Sequence, residues 1–448
     1  MSAAELVALV CCDLGSIVRG RSVLPAELGE HLRSGVGWVP ANHALTPLGP
    51  VAEPNPFGST GDLRLLPDAS TRTLLAGDER ASAMELVLCD IVGLDGQPWE
   101  CCPRAFLRAA LDACEQELGA RVRTSFEHEF QLLGDAGEGA HATGDEDMPP
   151  ALPFSLDAQR RVEPFPERLM VALEQAGLEP ERFFAEYAPH QFEVPIGASE
   201  GLTGADRSII LRELVRELAR RQHMRASFVP LLDPEQAGNG VHIHVSLVDA
   251  NGQSLLYDPS RPCALSELGA RFAAGVLAHA EALSALTAAS PVSGARLQPH
   301  RWSAGAACLA QRNREALLRI PPVVELGDDA ADQLHLEYRG ADASANPYLA
   351  LGAILRAGLA GVREELAEPP ILDQDPATLD AAQAERFGVG KLPTTLAQAL
   401  AALAADEAVR GWLGPLLYEA YASVKRAELD AAAGSDLAEL CRRYAAVY

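Results

Sequence analysis

Apolar and polar residues alternate strictly in four short stretches of this 448-residue chain. The clearest stretch is GNGVHIHVSL, in which His242, His244 and Ser246 alternate with aliphatic residues. Side chains of a β-strand point alternately to its two faces, so the pattern predicts a strand with one polar face and one face on the core. The stretches FEHEFQL, HQFEV and HLEYR repeat the design and predict three further half-buried strands.

Apolar residues recur at helical spacing in several longer stretches. One is AFLRAALDACEQELGA after Pro103, with Gly119 near its end, and another is RSIILRELVRELARRQHM directly before the His242 strand. Asn346 and Pro347 are typical of the N-cap and first position of a helix in NPYLALGAILRAGLAG. The residues from about 394 onward are predicted to be helical throughout.

Strands and helices are interspersed without regular alternation, which favours an α+β fold over a doubly wound parallel sheet. Residues 1–103 contain short strands and turns, including an Asp95-Gly96 hairpin signal, and are predicted to form a small N-terminal domain. Residues 104–448 are predicted to form a second, larger domain. The Gly-rich acidic segment 134–150 is interpreted as a loop.

Composition excludes two classes of partner. The formal net charge of −25 argues against nucleic acid and anionic membrane, since both require a basic face. Nine cysteines without a C-x-x-C pair, and a start without basic residues or a long apolar run, indicate reduced thiols in a cytoplasmic protein. Lys391 and Lys425 are the only lysines, so any clamp for an anion is expected to consist of arginine.

The polar faces and one upstream residue supply an imidazole and five carboxylates: Glu127, Glu129, Glu186, Glu193 and Glu337. A solvated sheet face explains each strand alone. If one cavity gathers them, the carboxylates repel one another strongly unless cations lie between them. Oxygen-rich ligation with one histidine suits Mg²⁺ or Mn²⁺ better than zinc.

Arginines accompany these acids. Arg312, Arg314 and Arg319 occur in RNREALLRI, and Arg296 and Arg339 flank this stretch. Metal ions beside an arginine cluster match phosphoryl transfer, which depends on positioning and charge neutralisation. Surface ion pairing with the many acids is the alternative for any one of these arginines.

Five motifs occur in an order that resembles the glutamine synthetase family: FEHEF, EYAPHQFE, GNGVHIHVSL, RNREALLRI and EYRGADASANPYLALGAILRAGLAG. The resemblance covers nearly the whole chain. It implies a β-grasp-like N-terminal domain and a catalytic domain with a curved antiparallel sheet. It also implies ligation of glutamate to ammonia or an amine through γ-glutamyl phosphate, using ATP and two or three Mg²⁺ or Mn²⁺ ions. Sites of the family lie between neighbouring subunits of hexameric rings, usually stacked in pairs as a dodecamer.

The resemblance implies a role for each matching residue. The ligands of the metal nearer glutamate are Glu129, Glu186 and Glu193, and those of the metal at the nucleotide phosphates are Glu127, His242 and Glu337. Nucleotide contacts are His244 and Ser246, and phosphate contacts are Arg314 and Arg319. Glutamate contacts are Arg296, Arg339 and the backbone of Gly238.

The site for ammonium departs from the family pattern. Trp302 stands six residues after Arg296, where ammonia-using members have a glutamate, and GVGWVPANHAL, which contains Trp38, replaces an Asp-Gly-Ser-Ser stretch. Asp62 matches one remaining acid. Indole cannot accept a proton but is a good face for an alkyl or cationic amine. We therefore expect an ATP-dependent ligase of glutamate and a small organic amine.

The alternatives are a true glutamine synthetase that uses ammonia and a non-catalytic nitrogen regulator. Arg339, Arg314, Asp62 and Trp302 are the candidate catalytic residues. The base that deprotonates the amine stays open between Asp62, Glu193, His190 and a metal-polarised water.

Replacing Trp302 with glutamate should shift the preference of the enzyme toward ammonium, since it restores an acid where the family has one. Trp302→Ala should mainly raise KM for the organic amine, because it removes apolar and cation–π contact in the ground and transition states alike. Steady-state kinetics with ammonium and a panel of amines measure both effects. If both variants keep the wild-type amine profile, Trp302 does not line the amine pocket.

Overall fold

The computed structural model describes residues 5–79, 81–134, 151–324, 326 and 329–448. Within these residues the chain forms two β-sheets and fifteen α-helices, and the predicted α+β class is confirmed. Gly134, the first residue of the predicted 134–150 loop, ends a strand, and the remaining residues 135–150 lie outside the described residues.

The smaller sheet has six strands in the order β2-β1-β6-β4-β3, with β5 paired to β6. They are β1 (Val7–Cys12), β2 (Val18–Val23), β3 (Val36–Trp38), β4 (Leu63–Pro67), β5 (Thr73–Leu75) and β6 (Met84–Val92). β1 is parallel to β6 and the other pairs are antiparallel. Val7 and Leu9 pack with Trp38 in a small core, whereas Val10 and Cys12 belong to the large core. Both faces of β1 are therefore buried, which explains its continuous apolar run.

The hairpin predicted at Asp95-Gly96 follows β6. Gly96 has a φ of 79°, which is accessible to glycine without steric cost. The Gly93 amide donates to the Gln97 carbonyl over 2.8 Å, and the Trp99 amide donates to the Ile91 carbonyl over 2.9 Å. The dipeptide therefore makes the turn that its sequence predicts.

The larger sheet has ten strands in the order β16-β13-β14-β15-β12-β7-β9-β8, with β10 and β11 paired to β7. They are β7 (Arg121–Gly134), β8 (Phe184–Ala185), β9 (Gln191–Val194), β10 (Ser199–Glu200), β11 (Met224–Ser227), β12 (Val241–Val248), β13 (Ala306–Gln311), β14 (Ala316–Ile320), β15 (Leu336–Tyr338) and β16 (Ile371–Leu372). All four alternating stretches form strands, as predicted.

This sheet is antiparallel except at one edge, where β13 is parallel to both β14 and β16. The chain turns at Arg312, whose φ of 59° is left-handed, and Ala316 then pairs with Ala306 at the start of β13. The rest of the sheet is antiparallel, as expected, and this turn is the local reason for the parallel β13–β14 pair.

Helices pack on the apolar side of the larger sheet and around its ends. They are α1 (Leu28–Ser34), α2 (Pro103–Leu118), α3 (Leu156–Arg160), α4 (Phe165–Gln175), α5 (Gly201–Arg221), α6 (Glu267–Ala278), α7 (Ala280–Thr287), α8 (Ser293–Arg296), α9 (Ala330–Gln333), α10 (Pro347–Arg363), α11 (Ala381–Arg386), α12 (Leu396–Ala405), α13 (Glu407–Leu413), α14 (Pro415–Ala432) and α15 (Leu437–Ala445). The Asn346 side chain caps α10 by accepting from the amides of Tyr348 and Leu349, as predicted. Gly119 ends α2 in a left-handed conformation.

Arg104 on α2 connects the N-terminal part of the chain with helix α5. Its guanidinium donates to both carboxylate oxygens of Asp206 on α5, over 3.0 and 2.8 Å, and to Asp68 over 2.7 Å in the N-terminal part. Arg104 and Asp206 are both buried, so each charge depends on its partner. The domain boundary at residue 103 stays a prediction, and this ion pair lies directly after it.

In the part of the chain that the structure describes, no helix has the length and apolar composition needed to cross a bilayer. All nine cysteines are free thiols, and eight of them are buried.

Helices α6 and α10 approach closely because glycines lie at their contact. A Cβ on Gly275 would lie 2.1 Å from the Ala357 carbonyl oxygen, and one on Gly361 would lie 2.3 Å from the Arg271 carbonyl oxygen. Both neighbours are backbone atoms of packed helices, so they cannot move aside like the end of a flexible side chain.

Gly275→Ala should therefore lower the free energy of unfolding by about 1–3 kcal/mol, as overpacking of a core usually does. Gly411→Ala is the matched control, because Gly411 lies in α13 with open space around its Cα. That change should be neutral or stabilise by about 0.5–1 kcal/mol. Urea unfolding midpoints measure both changes. Equal midpoints for the two variants would contradict the close contact.

Candidate active site

Five strands of the larger sheet, in the order β14, β15, β12, β7 and β9, bring the predicted polar residues onto one face. Their register pairs are His242 with Glu127, Glu129 with Glu193, and Glu337 with both His244 and Arg319. Paired residues of neighbouring strands point to the same face, so these side chains meet. With residues of adjoining loops they line a cavity of about 600 Å³, a volume typical of ligand sites.

The opposite face of these strands explains why the register is unique. Phe126, Phe130 and Ile243 are at most 1% exposed, and a slip of one residue would turn them into the cavity. His128 on this face is a core residue, with Nε2 2.8 Å from the Ser208 hydroxyl. Burial, followed by the nearby positive charge of Arg212, holds the pKa of His128 well below its ordinary value.

One group of ligand atoms centres on Glu127. His242 Nδ1 lies 3.2 Å from Glu127 Oε2 and 3.8 Å from Glu337 Oε1, and His244 Nε2 lies 3.3 Å from Glu127 Oε2. Glu127, His244 and Glu337 present ligand atoms within 4.8 Å of one another. Burial works to raise the pKa of Glu127, but His244 and His242 outweigh it and hold that pKa well below its usual range.

A second group consists of Glu129, Glu186 and Glu193. Glu129 Oε2 accepts from the Gly240 amide over 2.8 Å and from Gln191 Nε2 over 3.1 Å. Burial, followed by repulsion from Glu129, raises the pKa of Glu186 to about 7. Burial, followed by the charges of Glu127 and Glu129, raises the pKa of Glu193 well above its usual range. This crowding favours the binding of a proton or a cation.

The group around Glu127 fits a divalent metal ion. The buried Nε2 atom of His242 has no hydrogen-bond partner among the residues that the structure describes, and it lies 3.8 Å from Glu129 Oε1. Buried polar atoms are seldom left unsatisfied, and an imidazole nitrogen facing carboxylates is a ready metal ligand. Carboxylate oxygens with few nitrogens suit Mg²⁺ or Mn²⁺.

Arginine supplies much of the positive charge of the cavity. Arg319 Nη1 donates to Glu337 Oε2 over 2.7 Å, Arg339 pairs with the other Glu337 oxygen, and Arg314 also lines the wall. Burial tends to raise the pKa of Glu337, but Arg339 and the two histidines lower it to about 2. Neither lysine lines the cavity: Lys425 is fully buried and donates to Glu428 over 2.7 Å, and Lys391 is exposed.

The polar face of β12 continues to Ser246, whose hydroxyl lies 3.5 Å from the Leu334 carbonyl oxygen. His335 lies beside His244, with the ring centroids 4.9 Å apart. Burial, followed by the charge of His244, lowers the pKa of His335 to about 4. Burial also works to lower the pKa of His244, but Glu127 outweighs it and raises that pKa above its ordinary value. The pair therefore combines one neutral and one readily protonated imidazole.

Five residues singled out in the sequence do not line the cavity of their own chain: Arg296, Asp62, Trp38, His190 and Arg312. Arg296 is buried behind Gly238, which does line it, and donates to the carbonyls of Gly340 and Ala341 over 3.1 and 2.8 Å. Asp62 is exposed in the turn before β4, and Trp38 is buried in the core of the smaller sheet.

Trp302 lines the cavity, as expected, and two aromatic residues that the sequence reasoning missed lie beside it. Tyr187 stacks on Trp302 with centroids 5.2 Å apart, and Phe154 lies 6.0 Å from Trp302. The sequence could have indicated Tyr187 as a site residue, because it directly follows the candidate ligand Glu186 in EYAPHQFE.

Gln191 was also missed as a site residue. Its Nε2 lies 3.1 Å from Glu129 Oε2, 3.0 Å from the Gly238 carbonyl oxygen and 3.1 Å from Asn239 Oδ1. It thereby ties a carboxylate to the loop that closes this end of the cavity. The sequence could have indicated Gln191 as a site residue, because it lies on the same strand face as the candidate ligand Glu193.

Comparison with known proteins gives consistent relatives over the whole chain. Residues 1–99 match the glutamine synthetase N-terminal domain, and residues 100–438 match the glutamine synthetase catalytic domain. The gamma-glutamylpolyamine synthetase GlnA3 of Streptomyces coelicolor is 34% identical over 435 residues, which cover 96% of this chain and 91% of that protein. The glutamine synthetase of Methanocaldococcus jannaschii is 31% identical over 376 residues, 82% of this chain and 80% of that protein.

Solved structures agree with these relatives. A crystal structure described as a novel glutamine synthase homolog has a TM-score of 0.89 and 44% identity, covering 100% of this chain and 99% of that one. A structure described as apo GmaS without ligand has a TM-score of 0.83 and 26% identity, covering 97% and 94%.

Binding of Mg²⁺ or Mn²⁺ should release protons near neutral pH. Without a cation the pKa of Glu186 is raised to about 7, so this carboxyl is partly protonated there, and a bound cation stabilises its ionised form. The release from Glu186 should therefore decline as the pH rises above about 7. Calorimetric titration in two buffers of different ionisation enthalpy measures it, and Glu186→Gln is the control that should release fewer protons. Release that grows with pH, or is unchanged in Glu186→Gln, would contradict the assignment.

Proposed function

The chain belongs to the glutamine synthetase family, and we propose that it is an ATP-dependent ligase that couples L-glutamate to an organic amine. Its products are a γ-glutamylamide, ADP and phosphate. The observation that carries this choice is Trp302, an indole in the cavity wall at the position where ammonia-using members have a glutamate. The similarity to a gamma-glutamylpolyamine synthetase over 96% of the chain supports the same choice.

Two or three Mg²⁺ or Mn²⁺ ions would be held by the crowded carboxylates. Glu129, Glu186 and Glu193 would hold one ion, and Glu127 and Glu337 another, together with an imidazole. The resemblance assigns this last position to His242, and His244 lies equally close to Glu127. When bound, such ions neutralise and orient phosphate oxygens for in-line transfer.

The remaining polar residues are assigned to ATP and glutamate. His244 and Ser246 face the nucleotide, and Arg314 and Arg319 the phosphates. Arg319 and Arg339 are held in place by the Glu337 carboxylate between them, so their charges are oriented before substrate binds.

Glutamate is proposed to bind between Arg339 and the backbone of Gly238. Arg296 contacts the carbonyls behind Gly238. We therefore assign the direct contact with glutamate to Arg339 and the support of this wall to Arg296.

Two steps follow from this arrangement. The γ-carboxylate of glutamate attacks the terminal phosphorus of ATP, and the bond to ADP breaks. The amine nitrogen then attacks the acyl carbon, the bond to phosphate breaks, and a proton passes from nitrogen to a base. Glu193 lines the cavity, whereas His190 and Asp62 of the same chain do not. Glu193 is also a proposed metal ligand, so the base stays open between Glu193, a metal-polarised water and Asp62 of a neighbouring subunit.

Assembly into hexameric rings, stacked as a dodecamer, is proposed from the family. Asp62 is exposed and does not line the cavity of its own chain, so it can join an amine site only from a neighbouring subunit. Trp38 is buried in its own core and is not proposed to contact the amine. The cytoplasmic location stays a prediction.

A true glutamine synthetase is the second candidate, favoured by the 31% identity to the Methanocaldococcus jannaschii enzyme. It would need another acid at the place of Trp302. A non-catalytic regulator would have no use for the complete set of five carboxylates and two imidazoles.

The test is turnover with ATP, glutamate and single amines, ammonium included, followed by phosphate release and mass spectrometry of the amide. We expect kcat/KM for the best organic amine to exceed that for ammonium by about tenfold or more, since a pocket that suits a carbon chain discriminates on this scale. Glu129→Ala is the inactive control and should lose more than about a hundredfold in activity with an unchanged circular dichroism spectrum. Turnover with ammonium alone would overturn the proposal.

A further inference from the structure

Three aromatic side chains form a single exposed cluster at the wall of the cavity. Trp302 and Tyr187 are stacked, with ring planes 27° apart, and Phe154 lies beside Trp302. Phe154 is 51% exposed, Tyr187 45% and Trp302 50%, although all three line the cavity. Contiguous exposed apolar surface at a pocket is typical of a binding site rather than of a fold element.

The backbone holds two of these rings in an uncommon conformation. Phe154 and Trp302 have φ angles of 57° and 58°, in the left-handed region that bulky side chains rarely adopt. Neither ring completes the hydrophobic core, so packing does not account for this conformation. Strain of this kind concentrates at functional sites, where it fixes the direction of a side chain.

The cluster adjoins the carboxylates of the reaction centre. The Tyr187 amide donates to Glu186 Oε2 over 3.2 Å, and the Phe154 amide donates to the Glu186 carbonyl oxygen over 3.4 Å. The rings therefore continue the wall from Glu186 toward solvent. A molecule whose reacting nitrogen lies at the acyl carbon would extend its remaining atoms along them.

Aromatic rings bind methylene groups by apolar contact and alkylammonium groups through the ring quadrupole. The ring centroid of Trp302 lies 5.2 Å from that of Tyr187 and 6.0 Å from that of Phe154, and one methyl group cannot contact all three rings. The contacts thus suit a carbon chain several atoms long.

We infer that Phe154, Tyr187 and Trp302 form the binding seat for the carbon chain of the acceptor, so that the preferred substrate is a primary amine with several methylene groups. This inference rests on the proposed glutamate–amine ligase. It adds Tyr187 and Phe154 as specificity-determining residues and makes chain length the selected property. An alkyl monoamine and an α,ω-diamine share this chemistry.

The experiment measures kcat/KM for two series in the full-length enzyme: methylamine to pentylamine, and 1,2-diaminoethane to 1,5-diaminopentane. In the wild type, kcat/KM should rise by about threefold to fourfold per methylene in at least one series, as expected for burial of apolar surface. In Tyr187→Ala and Phe154→Ala this slope should flatten, mainly through KM, while the shortest amine changes little. The series in which kcat/KM rises with chain length shows whether the preferred acceptor is a monoamine or a diamine.

Two controls distinguish loss of carbon-chain binding at the three rings from a general effect on folding. Tyr187→Phe keeps the ring and should keep the slope. Leu152→Ala removes an apolar side chain that is even more exposed than Phe154 from the same segment, and Leu152 does not line the cavity, so the slope should be unchanged. A flat wild-type profile, or an unchanged slope in Tyr187→Ala, would overturn the inference while leaving the ligase assignment intact. Absence of any amide product in the wild type would instead refute the proposed function.

Discussion

Repulsion among buried carboxylates is the constraint that the larger sheet has to satisfy. Glu129, Glu193 and Glu337 are each at most 9% exposed, and Glu129 is the direct cross-strand neighbour of Glu193. Such a pair destabilises a sheet unless something else holds the strands together. The phenylalanines and aliphatic residues on the opposite face do so, since a register slip of one residue would bury the acids in the core. The apolar face therefore maintains an arrangement that the polar face alone would not adopt.

The positive groups on the polar face divide the carboxylates into two kinds. Glu337 lies between Arg319 and Arg339 and is strongly acidic. In the part of the chain that the structure describes, no arginine forms an ion pair with Glu186 or Glu193, and the pKa values of both carboxyls are raised. One wall of the cavity thus carries fixed charge, and the other responds to whatever cation is present. This division is a property of side-chain placement and does not depend on the overall charge of the protein.

The strands and their polar faces could be predicted because a period of two is a local property of the sequence. The stretch GNGVHIHVSL showed which side of β12 would be polar, and FEHEFQL did the same for β7. The tertiary partners could not be predicted in this way. Tyr187 meets Trp302 only because two separate loops converge, and Arg296 turns away from the cavity because the carbonyls of Gly340 and Ala341 lie within its reach. The parallel pairing of β13 and β14 likewise depends on one left-handed residue, Arg312, for which neighbouring residues give no signal.

The scarcity of lysine has a consequence for the fate of a reactive acyl group. Of the two lysines, Lys425 is fully enclosed with Glu428, Lys391 lies elsewhere on the surface, and the residues described as lining the cavity include neither lysine nor cysteine. Guanidinium groups stay protonated and are poor nucleophiles. An acyl phosphate formed in this cavity would therefore meet no lysine amine or cysteine thiol among the described lining residues of its own chain. A catalyst whose substrates are amines thereby keeps the two most competitive kinds of side-chain nucleophile away from the activated group.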